Sequence, residues 1–336
     1  MRAIVVNEFG PVESHNVEEC PDRTPGEGEV LIENHAIGLN FPDILMLGGE
    51  YQKRPDRPFV PGRDCAGIVR AVGPGVTRSK PGDRVVAQVF TGAFGELVPA
   101  PQQRCFVLPD AVSFEDAAAM ITVFNTAWVA MDTRARLRAG ETVMVTGAAG
   151  GVGSATVQLC KARGAIVIAA VSSDEKGELA KAHGADFVVL SRADDLEALK
   201  QSLKSQVNAI TGADEGRGCD VIIDTVGGDL FEAGLRVLRF AGRMVVVGFA
   251  SGKVAAAQTN YLLYNNLTVM GAPLDIHFDM AFNEIERGVN TWLSLLASSQ
   301  IRANISERYP LNDFVAAFDS ITGPGVKGRT IIDPRS

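Results

Sequence analysis

From residue 142 onward, apolar and polar positions follow a regular pattern that predicts alternating strands and helices. Apolar runs at 143–146, 166–171, 187–190, 220–226, 244–248 and 267–271 read as strands. The stretches 151–163, 174–183, 194–210 and 229–239 carry apolar residues at helical spacing and read as helices. Strands this uniformly apolar are covered on both faces, so the pattern predicts a parallel, doubly wound sheet. The first 120 or so residues are patterned differently. Strands are expected there at 29–37, 65–72 and 84–89, with turns at Gly73-Pro74-Gly75 and Lys80-Pro81-Gly82-Asp83. From 113 the texture becomes helical, with Ser113 and Asp116 spaced as a capping box. Beyond 273, an amphipathic helix is expected at about 279–299 and a final strand at 329–333. The fold class is α/β, with a nucleotide-type domain over 122–272 and a β-rich domain made of 1–121 and 273–336.

The first strand of the alternating part runs into Gly147-Ala148-Ala149-Gly150-Gly151-Val152-Gly153 and then a helix. Strand, glycine turn and helix are the context in which such a pattern indicates a dinucleotide site. Ala148 takes the first glycine slot. Gly150 lets the backbone approach a pyrophosphate, and Gly153 lets the helix pack close to the strand. For the glycines alone, a tight turn with no ligand is the alternative. In NAD-binding units an acidic residue about 20 positions further on takes the ribose 2′-hydroxyl. Here the second strand ends in Ser172-Ser173, with Asp174 and Glu175 in the first turn of the next helix. Small hydroxyl residues leave room for a 2′-phosphate, and Lys176 and Arg192 offer its counter-charges. NADPH is therefore expected over NADH.

Composition narrows the classes. The chain has 336 residues, 46% hydrophobic and 21% charged, as in ordinary globular proteins of about two domains. A net charge of −8 without a dense Lys/Arg run argues against nucleic acid as a partner. No run approaches the roughly 18 apolar residues of a membrane span, and the first residues lack a signal-peptide pattern. A soluble, cytoplasmic protein is expected. The five cysteines are scattered without a Cys-x-x-Cys, so neither a disulfide framework nor a zinc knuckle is expected, and Cys160 reads as a core residue.

The segments 145–153, Gly38-Leu39-Asn40-Phe41-Pro42-Asp43, Val60 to Val69, Gly73 to Val76 and Pro81 to Val86 occur in colinear order. Together they resemble the zinc-independent quinone oxidoreductase (zeta-crystallin-like) branch of the medium-chain dehydrogenase/reductase superfamily. The resemblance implies a GroES-like substrate domain, a Rossmann domain, a cleft between them and a homodimer or homotetramer. It also implies hydride transfer from NADPH to quinones or other α,β-unsaturated carbonyls such as enones. An enoyl-thioester or alkenal reductase, or a nucleotide-binding protein without turnover, are the alternatives. Zinc-dependent relatives have a Cys where this chain has Asn40 and a His-Glu pair where it has Arg63-Asp64, so no metal is expected. By resemblance, Asn40, Asp43 and Tyr51 surround the nicotinamide and acceptor, with Tyr51 either offering its hydroxyl or only packing its ring. Arg63 either supplies the charge that zinc gives its cousins or pairs with Asp64 and fixes the loop. Ala149, Gly150, Gly151 and Val152 are expected under the pyrophosphate. Ser172, Lys176, Ser191 and Arg192 are expected at the adenosine ribose. Val247, Gly248, Phe249, Ala272, Pro273 and Leu274 are expected to flank the nicotinamide, with Thr126 also in contact. The segment 267–271 is expected at an exposed sheet edge that a partner subunit covers.

Overall fold

The computed structural model describes residues 1–212, 218–322 and 328–336. The chain opens with β1 (Arg2–Val5), β2 (Asn16–Glu19), β3 (Glu29–Gly38), α1 (Phe41–Leu47), β4 (Asp64–Val72), β5 (Arg84–Gln88), β6 (Leu97–Pro101), β7 (Cys105–Val107) and α2 (Phe114–Trp128). It continues with β8 (Thr142–Thr146), α3 (Gly151–Ala162), β9 (Ile166–Val171), α4 (Asp174–Ala182), β10 (Phe187–Leu190), α5 (Leu196–Thr211), β11 (Cys219–Asp224), α6 (Gly228–Leu235), β12 (Leu238–Val246), α7 (Thr259–Asn265) and β13 (Thr268–Gly271). It ends with α8 (Leu274–Met280), α9 (Phe282–Ala297), β14 (Ile305–Pro310), α10 (Phe314–Thr322) and β15 (Arg329–Asp333). Contacts divide these elements into one unit of Met1–Thr122 with Val289–Ser336 and a second of Val123–Gly288. Residues 273–288, expected in the β-rich part, group by contacts with the second unit.

The first unit carries a sheet in the order β14-β15-β3-β4-β5-β7, with β6 paired to β3 and a separate β1–β2 ribbon. This is the GroES-like part. Ile4, Ile32, Ile37, Val85, Phe94, Phe318 and Ile332 form one buried cluster, in which Phe94 meets Phe318 edge-on at 5.7 Å. Ser113 starts α2 as expected, its Oγ accepting from the Asp116 N–H at 3.0 Å while its own hydroxyl donates to the Asp116 carboxylate at 2.7 Å.

The second unit is the Rossmann part. Its sheet runs β10-β9-β8-β11-β12-β13, and every pairing in it is parallel. β11 is buried along its whole length and β8 and β9 at all but their first residue, which explains their near-continuous apolar sequences. Strand order reverses between β8 and β11, the switch point beside which doubly wound sheets bind ligands. Parts of this unit differ from the expectation, including α7, which was not expected. The helix expected to reach 239 stops at Leu235, because β12 begins at Leu238 to pair with Cys219. An irregular register and a left-handed Ala241 (φ 60°) follow before regular pairing resumes at Arg243. The helix expected at about 279–299 is α9, and a short helix that was not expected, α8, precedes it, with Ala281 non-helical between them (φ −144°, ψ 42°).

Candidate active site

In the second unit, the glycine turn joins β8 to α3 at the switch point. Its shape comes from steric limits. A Cβ on Gly153 would lie 2.1 Å from the Gly147 carbonyl oxygen, so only glycine lets α3 approach the strand this closely. Gly150 is different. Its φ is −77° and a Cβ there would meet nothing nearer than that same oxygen, at 3.4 Å. The folded chain does not require a glycine at 150, but a phosphate lying against the backbone would. Gly150 is also the N-cap of α3 and offers no side chain to its free N–H groups, the arrangement that receives an anion.

The turn is braced by a network that sequence reading did not single out. Asp224, buried at the end of β11, accepts from Thr146 Oγ at 2.6 Å and from the N–H groups of Val226 and Gly227 at 3.1 Å. Thr225 returns a hydroxyl hydrogen bond to the Thr146 carbonyl at 2.8 Å. A carboxylate ending the apolar run of β11 was the available signal. It ties the carboxyl ends of β8 and β11 together beneath Gly147.

The expected cofactor residues in this unit, Thr126 apart, follow carboxyl ends of strands in the parallel sheet. Ala149 and Gly150 lie in the turn after β8, and Gly151 and Val152 open α3. Ser172 follows β9, and its hydroxyl accepts from Lys176 Nζ at 3.2 Å. Asp174 and Glu175 are exposed in the first turn of α4, where the helix dipole favours them, rather than at the strand end. Ser191 and exposed Arg192 follow β10, with the Ser191 N–H on the Val171 carbonyl at 2.8 Å. Val247, Gly248 and Phe249 follow β12, where a Cβ on Gly248 would meet only ordinary contact at 3.5 Å. Ala272, Pro273 and Leu274 follow β13, and the Ala272 N–H binds the Val246 carbonyl at 3.0 Å. Thr126 stands apart, half-buried in α2.

In the first unit, Asn40 organises a buried polar cluster. It ends the loop after β3 and caps α1, with its N–H donating to Asp43 Oδ2 at 2.8 Å. Its amide nitrogen donates to Asp64 Oδ2 at 2.9 Å, and its amide oxygen accepts from the Arg329 guanidinium at 2.8 Å. Gln88 donates to the Thr122 hydroxyl at 2.5 Å, which donates in turn to Asp64 Oδ1 at 2.6 Å. Asp43 and Asp64 are fully buried. Burial, followed by the nearby Asp64 charge, pushes Asp43 up to about 7, against the pull of the Asn40 N–H, Arg63 and Arg329. Burial raises Asp64 too, opposed first by its hydrogen bonds from Thr122 and Asn40. Burial lowers the Arg329 pKa against the two carboxylates. Asp43 is thereby the member of the cluster pushed towards neutrality.

Beside it, Arg63 is only 3% exposed and donates through one guanidinium nitrogen to the Tyr51 hydroxyl at 3.1 Å. Its guanidinium carbon stands 5.7 Å from the Tyr51 ring centroid and 6.0 Å from that of Phe90. The structure thus gathers Asn40 with Asp43, and Tyr51 with Arg63, while Arg63 also bears electrostatically on both carboxyls. Arg329 and Thr122 complete the cluster and were not singled out from sequence. Arg329 lies 289 positions from Asn40, and no local pattern links them.

Comparison with known proteins agrees with this architecture. Residues 26–110 match the family model for the alcohol dehydrogenase GroES-like domain, and residues 151–280 that for zinc-binding dehydrogenase. Quinone oxidoreductase-like protein 2 of Bos taurus is 35% identical over 94% of this chain and 88% of its own. The structure of a mycobacterial quinone oxidoreductase superposes with a TM-score of 0.91 at 31% identity, covering 99% of this chain and 100% of that one. That of Escherichia coli quinone oxidoreductase complexed with NADPH superposes with a TM-score of 0.86 at 31% identity, again covering 99% and 100%. The chain belongs to the zinc-independent quinone oxidoreductase branch of the medium-chain dehydrogenase/reductase superfamily.

Proposed function

We propose that this protein is an NADPH-dependent reductase of quinones, or of other α,β-unsaturated carbonyls, that works without zinc. The observation that carries the reading is the turn at Gly150, a glycine that the packing of the chain itself does not require, at the switch point of a parallel sheet. NADPH, when bound, supplies a hydride. The N–H groups at the start of α3 receive its pyrophosphate. Ser172, Lys176, Ser191 and Arg192 receive the adenosine end, with Lys176 and Arg192 set against a 2′-phosphate. Val247, Gly248, Phe249, Ala272, Pro273 and Leu274 flank the nicotinamide, with Thr126.

The first unit handles the acceptor. Hydride addition to a quinone or enone leaves charge on an oxygen, and a hydrogen-bond donor aimed at that oxygen lowers the barrier. Tyr51 is that donor. Asn40, with its amide held by Asp64 and Arg329, fixes the carboxyl cluster, and Asp43 acts as an orienting carboxylate through the Asn40 N–H. Zinc-free chemistry is supported by the donor set. The Asp64 oxygens already accept from Asn40 and Thr122, and the slot of a metal-binding histidine holds a guanidinium. Two copies of the chain are proposed to associate through the outer edge of β13. Purified, chelator-treated protein offered NADPH or NADH with ortho- and para-quinones, enones, alkenals and enoyl thioesters tests this reading. Turnover confined to thioesters or alkenals would replace the acceptor class, and NADPH binding without turnover would leave only a binding protein.

A further inference from the structure

We propose that Arg63 is a positioning residue that acts through Tyr51, polarising its hydroxyl so that Tyr51 is the proton donor to the reduced acceptor. This rests on the reading above and deepens it. A guanidinium has only donors, so in the 3.1 Å contact the Tyr51 oxygen must accept. The Tyr51 O–H proton is thereby directed away from Arg63, and the oxygen that carries it stands against a full positive charge. Chained hydrogen bonds of this kind strengthen the outer donor. Arg63 is itself held, 3% exposed, with its guanidinium carbon within 6.0 Å of the Tyr51 and Phe90 ring centroids. The charge is fixed rather than solvated, and so acts at higher strength than at a surface.

The step balances. Hydride addition places an electron pair on the acceptor oxygen. The Tyr51 O–H bond breaks as a new O–H bond forms on that oxygen. The tyrosinate left behind is held by Arg63 and takes one proton from water, so that the acceptor gains one hydride and one proton per turnover. Charged and titratable groups near the pair among the described residues include Asp43 on α1, Asp64 on β4 and Lys53, whose ammonium lies 4.9 Å from the Phe90 ring centroid, while Arg329 on β15 acts on both carboxyls. Arg63 in turn lowers the pKa of both carboxyls, so its charge reaches the whole cluster.

The test reads tyrosinate absorbance during an alkaline titration of the protein without acceptor. The chain has four tyrosines, and the difference between wild type and Tyr51→Phe isolates Tyr51. Tyr51 is expected to ionise at least about one pH unit below the usual ~10. Arg63→Gln is expected to move it back up and to lower kcat for quinone about tenfold or more, with KM for NADPH unchanged. Arg63→Lys, which keeps the charge, is expected to recover part of both, and thermal melts identify any variant that fails to fold. If Arg63→Gln does not fold, the wild-type titration decides alone. Tyr51 ionising together with the other tyrosines would overturn the proposal, as would a folded Arg63→Gln variant with unchanged titration and kcat. If Tyr51 ionises early but the wild type reduces no acceptor, the polarised hydroxyl stands and the proposed function falls.

Discussion

Asp43 shows what the buried cluster costs and how it titrates. Its carboxyl is fully buried, Oδ2 accepts from Asn40, and Oδ1 has no hydrogen-bond partner among the described residues. A folded-state pKa of about 7 lies above the ~3.9 of an unfolded aspartate. The folded chain therefore binds the proton more tightly, and this group's contribution to stability is full below about pH 4 and lost as pH rises to about 7. Asp64 adds a contribution of the same sign. Asp43→Asn keeps an acceptor for the Asn40 N–H and removes the titration. Urea melts of this variant are expected to be flatter with pH and, at pH 8, more stable than wild type by a few kcal/mol. Lys176 poses a separate question. It is exposed at the end of α4's first turn, beside Ser172, so its loss should leave the fold intact. Lys176→Ala is expected to weaken NADPH binding about tenfold or more while leaving NADH nearly unchanged, as read by cofactor fluorescence.

Among the elements, the β8–α3 turn separates folding from binding most cleanly. Gly153→Ala forces a Cβ against the Gly147 carbonyl, and such overpacking costs about 1–3 kcal/mol, so its melting temperature should fall. Gly150→Ala meets no such clash and should melt close to wild type, yet lose most of its NADPH affinity. Equal melting losses in both would remove Gly150 as evidence for a cofactor. The β8–β11 alternation was legible in the sequence because these strands are buried on both faces and their helices carry one apolar stripe. The ribbon β1–β2 and β6, β7 and β14 were not; β2 and β14 are only partly covered and β7 is three residues long, so these three carry little periodic signal. The cofactor turn could be read from local spacing, and Asn40, Asp43 and Arg63 through motif resemblance. The bond from Arg329 to Asn40 spans 289 positions and that from Arg63 to Tyr51 spans 12, and neither is encoded by a local pattern.

For the whole molecule, the open question is how the chain closes its sheet and what it turns over. β13 ends the six-stranded sheet and pairs only with β12 among the described residues. Close by in sequence, Leu263 and Tyr264 of α7 are 84% and 88% exposed. An open edge near exposed apolar side chains favours association. Leu263→Asp with Tyr264→Asp is expected to shift the protein from dimer or tetramer to monomer in light scattering. A wild-type monomer would contradict that assignment. No helix among the described residues is long and apolar enough to cross a membrane. The most direct test of the function is the rate of nicotinamide oxidation by chelator-treated protein, with NADPH and NADH supplied in parallel against a panel of quinones. Turnover that survives chelation and favours NADPH is expected. Activity lost on chelation and restored by zinc, or no turnover despite NADPH binding, would contradict it.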